Sequence, residues 1–441
     1  MGQRDLFEGE QANGTTRTAE APRGKPRVRT VAREQLGLDV VDLESLLPED
    51  HPARTLWAAV EQLDLSLFYE TVAAREGQAG RPATDPKMLV CLWLYATSEG
   101  VSSARHLDEL CRRHAAYKWI CGGVTVNHNL LAEFRVGHEA ALDELLSEVL
   151  GKLMAAGLVT LRRVAHDGMR VRAAAGAASF RRKPRLQDFV KQARQHVRAL
   201  KAESAEPGER DRREAARLRA AADRLRRVEA ALAKMPEAEA TKRRQVERKE
   251  RDKAPRVSTT DPDARVMKMA DGGFRPAYNL QLSTDVDSRF IVGVGVSTVG
   301  SDARLGPPAL DDIERRTGDL PAAFLVDGGY ASLAAIHAME TRGVTVYAPV
   351  ATPRKSTRDP YARKAADTDA TAAWRSRMAT DPAKEIYKER AATAETTNAD
   401  LRCARGLDRL PVRGTKKVTS LLLWGALTYN LLRAPLEALM A

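Results

Sequence analysis

The chain has 441 residues, 43% of them hydrophobic, enough for about two to four domains and a substantial buried core. Its formal charge of +12 points to a polyanionic partner, nucleic acid before membrane. Four scattered cysteines without a C-x-x-C pair argue against a disulfide framework or a zinc ribbon, and the absence of an apolar leader in "MGQRDLFEGEQANG" makes a soluble, intracellular protein the expectation.

Residues 1–34 are polar, rich in Gly, Thr and Arg and without periodicity, and read as a basic flexible arm. From 35 to 158 the signals are helical. "DPKMLVCLWLYATSEG" opens on an Asp85–Pro86 helix start, and "HEAALDELLSEVLGKLMAAG" carries apolar residues three and four apart before Gly157. An all-helical N-terminal domain is expected there.

The pattern then changes. "LVTLRRVAHDGMRVRAAA" holds a β-type run that is expected to end at Asp167. Residues 182–255 break the rhythm. Leu186, Val190, Ala193, Val197 and Leu200, then Leu218, Ala221, Leu225, Val228, Leu232 and Met235, form two seams at helical spacing around a turn at Pro207–Gly208. Such a pair is an inserted helical hairpin. Residues 181–256 hold 25 Lys and Arg against 13 Asp and Glu, so their surplus of 12 equals the net charge of the whole chain. A one-signed excess of this size suits a surface that tracks a DNA backbone.

Beyond the insertion, "YNLQLSTDVDSRFIVGVGVST" reads as an antiparallel hairpin, with Asp285 and Asp287 explained by turn chemistry. "GPPALDDIERRTG" is a short helix, "AAFLVD" a strand, "YASLAAIHAMETRG" a helix and "VTVYAP" a strand, before a helical C-terminal region. "LLLWGALTYNLL" is too short to span a bilayer and reads as a core helix. The fold class is a mixed α/β sheet with helices on both faces, split as 159–181 and 256–441 around the hairpin.

Two aspartates stand where apolar strands stop. In "FLVDGGYAS" the run Ala323–Val326 meets Asp327, and Gly328 and Gly329 leave space beside it; in "VAHDGMRV" Gly168 follows Asp167 in the same way. A carboxylate closing a buried strand is costly to desolvate unless a cation or hydrogen bonds satisfy it. Two of them on adjacent strands share the crevice where open α/β sheets bind ligands, and together suit a hard ion such as Mg²⁺. A third acid is available in "YKERAATAETTNADLR", where helical spacing puts Glu395, Asn398 and Arg402 on one side, with Tyr387 and Arg390 further round. His166 alternates to the opposite face and reads as a packed core histidine. Asp261 and Asp263 form a rival pair for which an Asx-turn with Pro262 is the favoured reading, and Trp374 reads as core.

These residues resemble DDE transposases of bacterial insertion sequences, in the branch with a Tyr–Arg–Glu signature, over about residues 35–435. "GRPATDPKMLVCLWLYA" and "NLLAEFRVGH" resemble that family's N-terminal helical domain, although Asn127 stands where an aspartate is commoner. "HDGMRVRA" and "FLVDGGYAS" resemble its first and second acid motifs, and Tyr387, Arg390, Glu395 and Arg402 the third. The resemblance implies an RNase H-like catalytic domain whose triad Asp167, Asp327 and Glu395 binds two Mg²⁺ or Mn²⁺ ions. It further implies that Tyr387, Arg390 and Arg402 support the third acid or grip phosphates. The expected partners are double-stranded DNA, as terminal inverted repeats and target, and further copies of the chain in a synaptic dimer or larger oligomer; no membrane is expected. The helical domain, with its basic stretches "CRRHAAYKW" and "EFRVGH", is expected to read the repeats, and the setting to be the bacterial cytoplasm and nucleoid. The alternatives are a non-catalytic DNA-binding derivative and a nuclease of the same fold that only hydrolyses.

Overall fold

The computed structural model describes residues 42–75, 77, 79, 81–203, 212–243, 254–352 and 359–440. The arm at 1–34 and the turn at Pro207–Gly208 lie outside the described residues. All the helices and strands named below belong to the unit Leu43–Ala441.

Side-chain caps fix the starts of five of the N-terminal helices. Seven are formed: α1 (Pro52–Glu61), α2 (Ser66–Glu70), α3 (Pro86–Ser98), α4 (Ala104–Arg113), α5 (Ala115–Cys121), α6 (His128–Gly137) and α7 (Glu139–Ala155). Asp85 accepts from Lys87 N at the head of α3, with Pro86 at the first helical position, where no donor is lost. Asn127 accepts from the N–H groups of Asn129 and Leu130, both at 3.0 Å, a cap that an aspartate would make equally well. α3 is apolar nearly all round and is buried from Met88 to Ala96. Its Trp93 donates to Leu131 O and carries the Arg135 guanidinium 4.5 Å above its ring. Arg135 is only 7% exposed, donates to Ser102 O, and has its pKa drawn down to about 10 by burial. The arginine of "EFRVGH" is therefore a packing element rather than a surface cation. In "CRRHAAYKW", Arg112 and Arg113 pair with Asp108 and Glu109 one turn back.

The sheet follows. Its strands are β1 (Arg163–Arg172), β4 (Arg265–Lys268), β5 (Phe274–Asp285), β6 (Ile291–Ser297), β7 (Ala323–Val326) and β8 (Thr345–Tyr347). The order is β4–β5–β1–β7–β8, with β6 also paired to β5 beyond the end of β4. β5 and β6 are antiparallel, as the hairpin reading requires, while β7 and β8 run parallel to β1. β1 continues to Arg172 against β5, so Asp167 does not end a strand, contrary to expectation. It sits where the neighbouring β7 stops.

Between β1 and β4 lie the short pair β2 (Phe180–Arg181) and β3 (Val257–Ser258) and the insertion: α8 (Lys183–Glu203), α9 (Arg212–Ala233) and α10 (Met235–Arg243). Leu186, Val190, Val228, Ala231 and Met235 bury one another in a core of their own, joined by Val257. Leu186, Val190, Val228 and Met235 of the expected seam share this core, but Met235 opens a third helix where two were expected.

Helices cover both faces. On one lie α11 (Gly306–Thr317), α12 (Leu333–Glu340) and α15 (Thr415–Leu431); after α13 (Asp369–Ala379), α14 (Asp381–Ala399) lies on the other, and α16 (Leu436–Met440) closes the chain. α15 is the predicted core helix, buried at every residue from Ser420 to Leu431. Each fully buried leucine in it contributes on the order of 1.5–3 kcal/mol. Its Asn430 side chain both accepts from and donates to the backbone of Ile291 at 2.9 Å, satisfying the start of β6. Trp424 on the same helix donates to Arg135 O, so one hydrophobic core runs from the N-terminal helices through α15 onto the sheet. The opposite face is smaller: Ala165, Ala323 and Leu325 meet Ala394 and Ile386 of α14.

Asp261 and Asp263 resolve into architecture. Asp261 is fully buried and accepts from Tyr278 Oη (2.8 Å) and Gly414 N (3.2 Å), while Asp263 accepts from Thr415 N (3.0 Å) and pairs with Lys234. Together they cap the first turn of α15 from outside, where the helix dipole favours negative charge. Asp285 takes both donors of Ser288 in the hairpin turn, whereas Asp287 pairs with Arg162 and Arg163. Trp374 is core, 2% exposed and donating to Ala348 O.

Candidate active site

The parallel register pairs His166 with Val326, so the next residues, Asp167 and Asp327, stand side by side. Alternation decides the face. Ala165 and Leu325 pack on α14, so Asp167, two residues beyond Ala165, and Asp327, two beyond Leu325, belong to that face too. α14 answers with polar groups: Asn398 Nδ2 donates to Asp167 Oδ2 at 3.3 Å, and Arg390 Nη1 lies 3.6 Å from the same oxygen. Arg390 Nη2 lies 4.0 Å from Glu395 Oε1, and its guanidinium sits over the Tyr387 ring at 5.9 Å. One arginine thus bridges the first acid to the third, with Tyr387 behind it.

The pairing is loose. Arg390 Nη1 is buried without a hydrogen-bond partner, and so is Asn398 Oδ1. Glu395 is 69% exposed at its side chain. Among the described residues no three acidic, histidine or cysteine side chains gather closely enough to hold a metal ion. Among the described residues no hydrogen bond or ion pair joins Arg402 to Glu395. α14 gives way after Ala399 to a wider π turn, Asp400–Ala404, which breaks the helical projection linking Arg402 to Glu395.

Sequence reasoning missed Asp302. It lies in the loop from β6 to α11, accepts from Asn279 Nδ2 at 2.6 Å and pairs with Arg170 at 3.2 Å. A lone "GSDAR" reads as a turn, and nothing in its spacing links it to strands over a hundred residues away. Burial raises the pKa of Asp167 first, and the charges of Asp327 and Asp302 add to it, against the Gly168 N–H and Arg390. The Tyr330 hydroxyl is pushed far up by burial and by the same three carboxylates. Three negative groups therefore share one field.

Beneath them is a buried polar layer. Tyr330 Oη donates to Gln281 Oε1 (2.6 Å), which also lies 2.9 Å from His166 Nε2, while His166 Nδ1 meets Ser283 Oγ at 2.8 Å. Gln281 Oε1 can only accept, so His166 carries its proton on Nε2 and accepts from Ser283. Burial lowers its pKa to about 4. His166 is a hydrogen-bonded core histidine, as alternation predicted. This layer also corrects the reading of Gly168. A Cβ there would meet Gln281 Nε2 at 2.5 Å, Asn279 Oδ1 at 2.8 Å and Tyr330 Oη at 3.0 Å. The glycine makes way for the polar layer, not for the carboxylate. Gly329 does serve its acid: its N–H donates to Asp327 Oδ1 at 2.8 Å, and a Cβ would come within 2.9 Å of that oxygen.

The donor set suits a hard divalent cation: carboxylate and amide oxygens, one amide oxygen buried without a partner, and repelling acids beside a loosely placed guanidinium. Two family models match the chain, Transposase domain (DUF772) over residues 41–136 and Transposase DDE domain over residues 241–431. The second spans Asp302, Asp327 and Glu395, and begins after Asp167. No curated protein and no solved structure matches.

Proposed function

We propose, for a chain that belongs with the DDE transposases of insertion sequences, that it hydrolyses DNA at the ends of its element to a 3′ hydroxyl and joins that hydroxyl to target DNA. The observation that carries this reading is the parallel register setting Asp167 beside Asp327 on the face covered by α14, with Arg390 reaching from Asp167 to Glu395. We read the sheet, with its antiparallel hairpin on one side of β1 and two parallel strands on the other, as RNase H-like.

In this reading Asp167, Asp327 and Glu395 hold two Mg²⁺ or Mn²⁺ ions. When bound, these ions supply charge neutralisation at the phosphate and an activated water. The chain's own residues do the rest. Asn398 and the Gly168 N–H fix the rotamer of Asp167, and the Gly329 N–H fixes that of Asp327. Arg390, with Tyr387 beneath it, supplies a guanidinium that can turn from carboxylate to phosphate. The exposed Glu395 closes on the site from α14 when DNA is in place. Residues 35–158 read the terminal repeats in a synaptic oligomer, with 159–181 and 256–441 as the catalytic domain around the insertion at 182–255.

Substituting Asp327 by Ala is expected to abolish metal-dependent cleavage and leave binding to the element's ends intact; retained cleavage refutes the assignment. A strand-transfer assay with pre-cut ends separates the alternatives. Joined product marks a transposase, cut product alone a nuclease, and a bound complex without reaction a non-catalytic derivative.

A further inference from the structure

A groove of about 1330 Å³ opens beside the loop that carries Asp302. One wall is α10 of the insertion together with the base of the β2–β3 pair; the other is the edge strand β4 with the loop 298–305. Among the described residues its lining holds Arg182, Lys242, Arg256, Arg265, Lys268 and Arg304, and no acid. Arg265 is committed to Glu237 and to backbone carbonyls, and Lys242 has a partner too. Arg182, Arg256, Lys268 and Arg304 are exposed and pair with no carboxylate among the described residues. Half-exposed Val266 on β4 and Val299 lie between them, a combination of cations and apolar contacts that suits a sugar–phosphate chain better than bulk water.

The groove is joined to the site by one residue. Arg170, three positions beyond Asp167, donates to Lys268 O (3.4 Å) and Gly300 O (2.9 Å) on the groove wall, and reaches Asp302 in the carboxylate field. Ser301, Ala303 and Arg304, which flank Asp302, line the groove.

We propose that this cleft between the insertion and β4 is a DNA-binding site that holds the backbone of the strand running through the carboxylate cluster, with Arg182, Arg256, Lys268 and Arg304 contacting its phosphates. The inference rests on the reading of the carboxylates as the reacting centre. It also gives the insertion a place beside the active site, through Arg182 and α10.

The test uses the full chain without divalent metal, so that binding is measured apart from cleavage. Anisotropy of labelled duplexes is followed against salt for the parent and for the combined variant Arg182→Ala, Arg256→Ala, Lys268→Ala, Arg304→Ala. Each lost phosphate contact removes about 0.9 from the slope of log affinity against log salt, so a slope shallower by about 3 to 4 is expected, with an unchanged melting temperature. A photo-crosslinking residue, p-benzoylphenylalanine, at Val266 reports position independently. Crosslinks to a duplex carrying the element's end assign the groove to that end, and crosslinks to a random duplex alone assign it to target DNA. An unchanged slope with no crosslink to either overturns the proposal. A chain that binds through this groove and never cuts DNA keeps the groove and discards the proposed chemistry; one that cuts normally with all four cations removed does the reverse.

Discussion

Replacing Asp167 by Asn removes the charge at the centre of the acidic field and keeps its shape. Adjacent strands lie about 4.8 Å apart, and two unit charges about 5 Å apart repel by about 3 kcal/mol at an effective dielectric of about 20. Arg390, 3.6 Å from Asp167, offsets an amount of the same order, about 4–5 kcal/mol on the same scale. What remains uncompensated is the burial that raises the carboxyl pKa. Asn keeps an acceptor for the Gly168 N–H, and its amide can donate to Asn398 Oδ1, which has no partner at present, once that side chain flips. Because burial outweighs these charges and raises the carboxyl pKa, the variant is expected to be more stable than the parent in metal-free buffer, with a higher melting temperature. Mn²⁺ at ~100 times its dissociation constant stabilises the parent by about 2.7 kcal/mol, and this increment disappears in the variant. Differential scanning fluorimetry with and without Mn²⁺ reads both effects. A destabilised variant, or one that keeps the full Mn²⁺ shift, refutes the reasoning.

Gly168→Ala is expected to cost about 2–3 kcal/mol in chemical denaturation, because its Cβ strikes the buried polar layer of Gln281, Asn279 and Tyr330. His166 is held neutral with a pKa of about 4, below its unfolded value of about 6.5. Its contribution is complete above pH 6.5 or so and is lost as pH falls towards 4, by up to about 3 kcal/mol; His166→Gln flattens the stability profile across that window. Asp261→Ala leaves Tyr278 Oη and Gly414 N unpaired beneath α15 and costs about 2–4 kcal/mol, while Asp261→Asn costs less and retains cleavage activity. Loss of cleavage in a folded Asp261→Asn variant would return Asp261 to the catalytic candidates.

Periodicity carried most of the fold. α3, α7 and α15 and the strands β5–β8 were legible because each buries one continuous face or run with a capping or turn residue at its end. The aspartate pair was legible only in part: Asp327 follows an apolar strand that stops there, whereas β1 runs on past Asp167 to Arg172. What escaped depended on partners distant in sequence. Gly168 looked like room for an acid, yet its neighbours come from β5 and Tyr330. Arg135 looked like a basic contact until Trp93 covered it. Arg402 was placed by a helical projection that fails at the π turn after Ala399, and Asp302 reaches the field only because the loop after β6 folds back over β1.

The central claim is that three acids remote in sequence converge on the same metal ions when DNA is bound. An anomalous difference map of the chain crystallised with Mn²⁺ and an element-end duplex measures this directly. Peaks bounded by Asp167, Asp327 and a Glu395 drawn in from solvent are the predicted result. Mn²⁺ bound elsewhere, or Glu395 still pointing into solvent beside an occupied site, contradicts it.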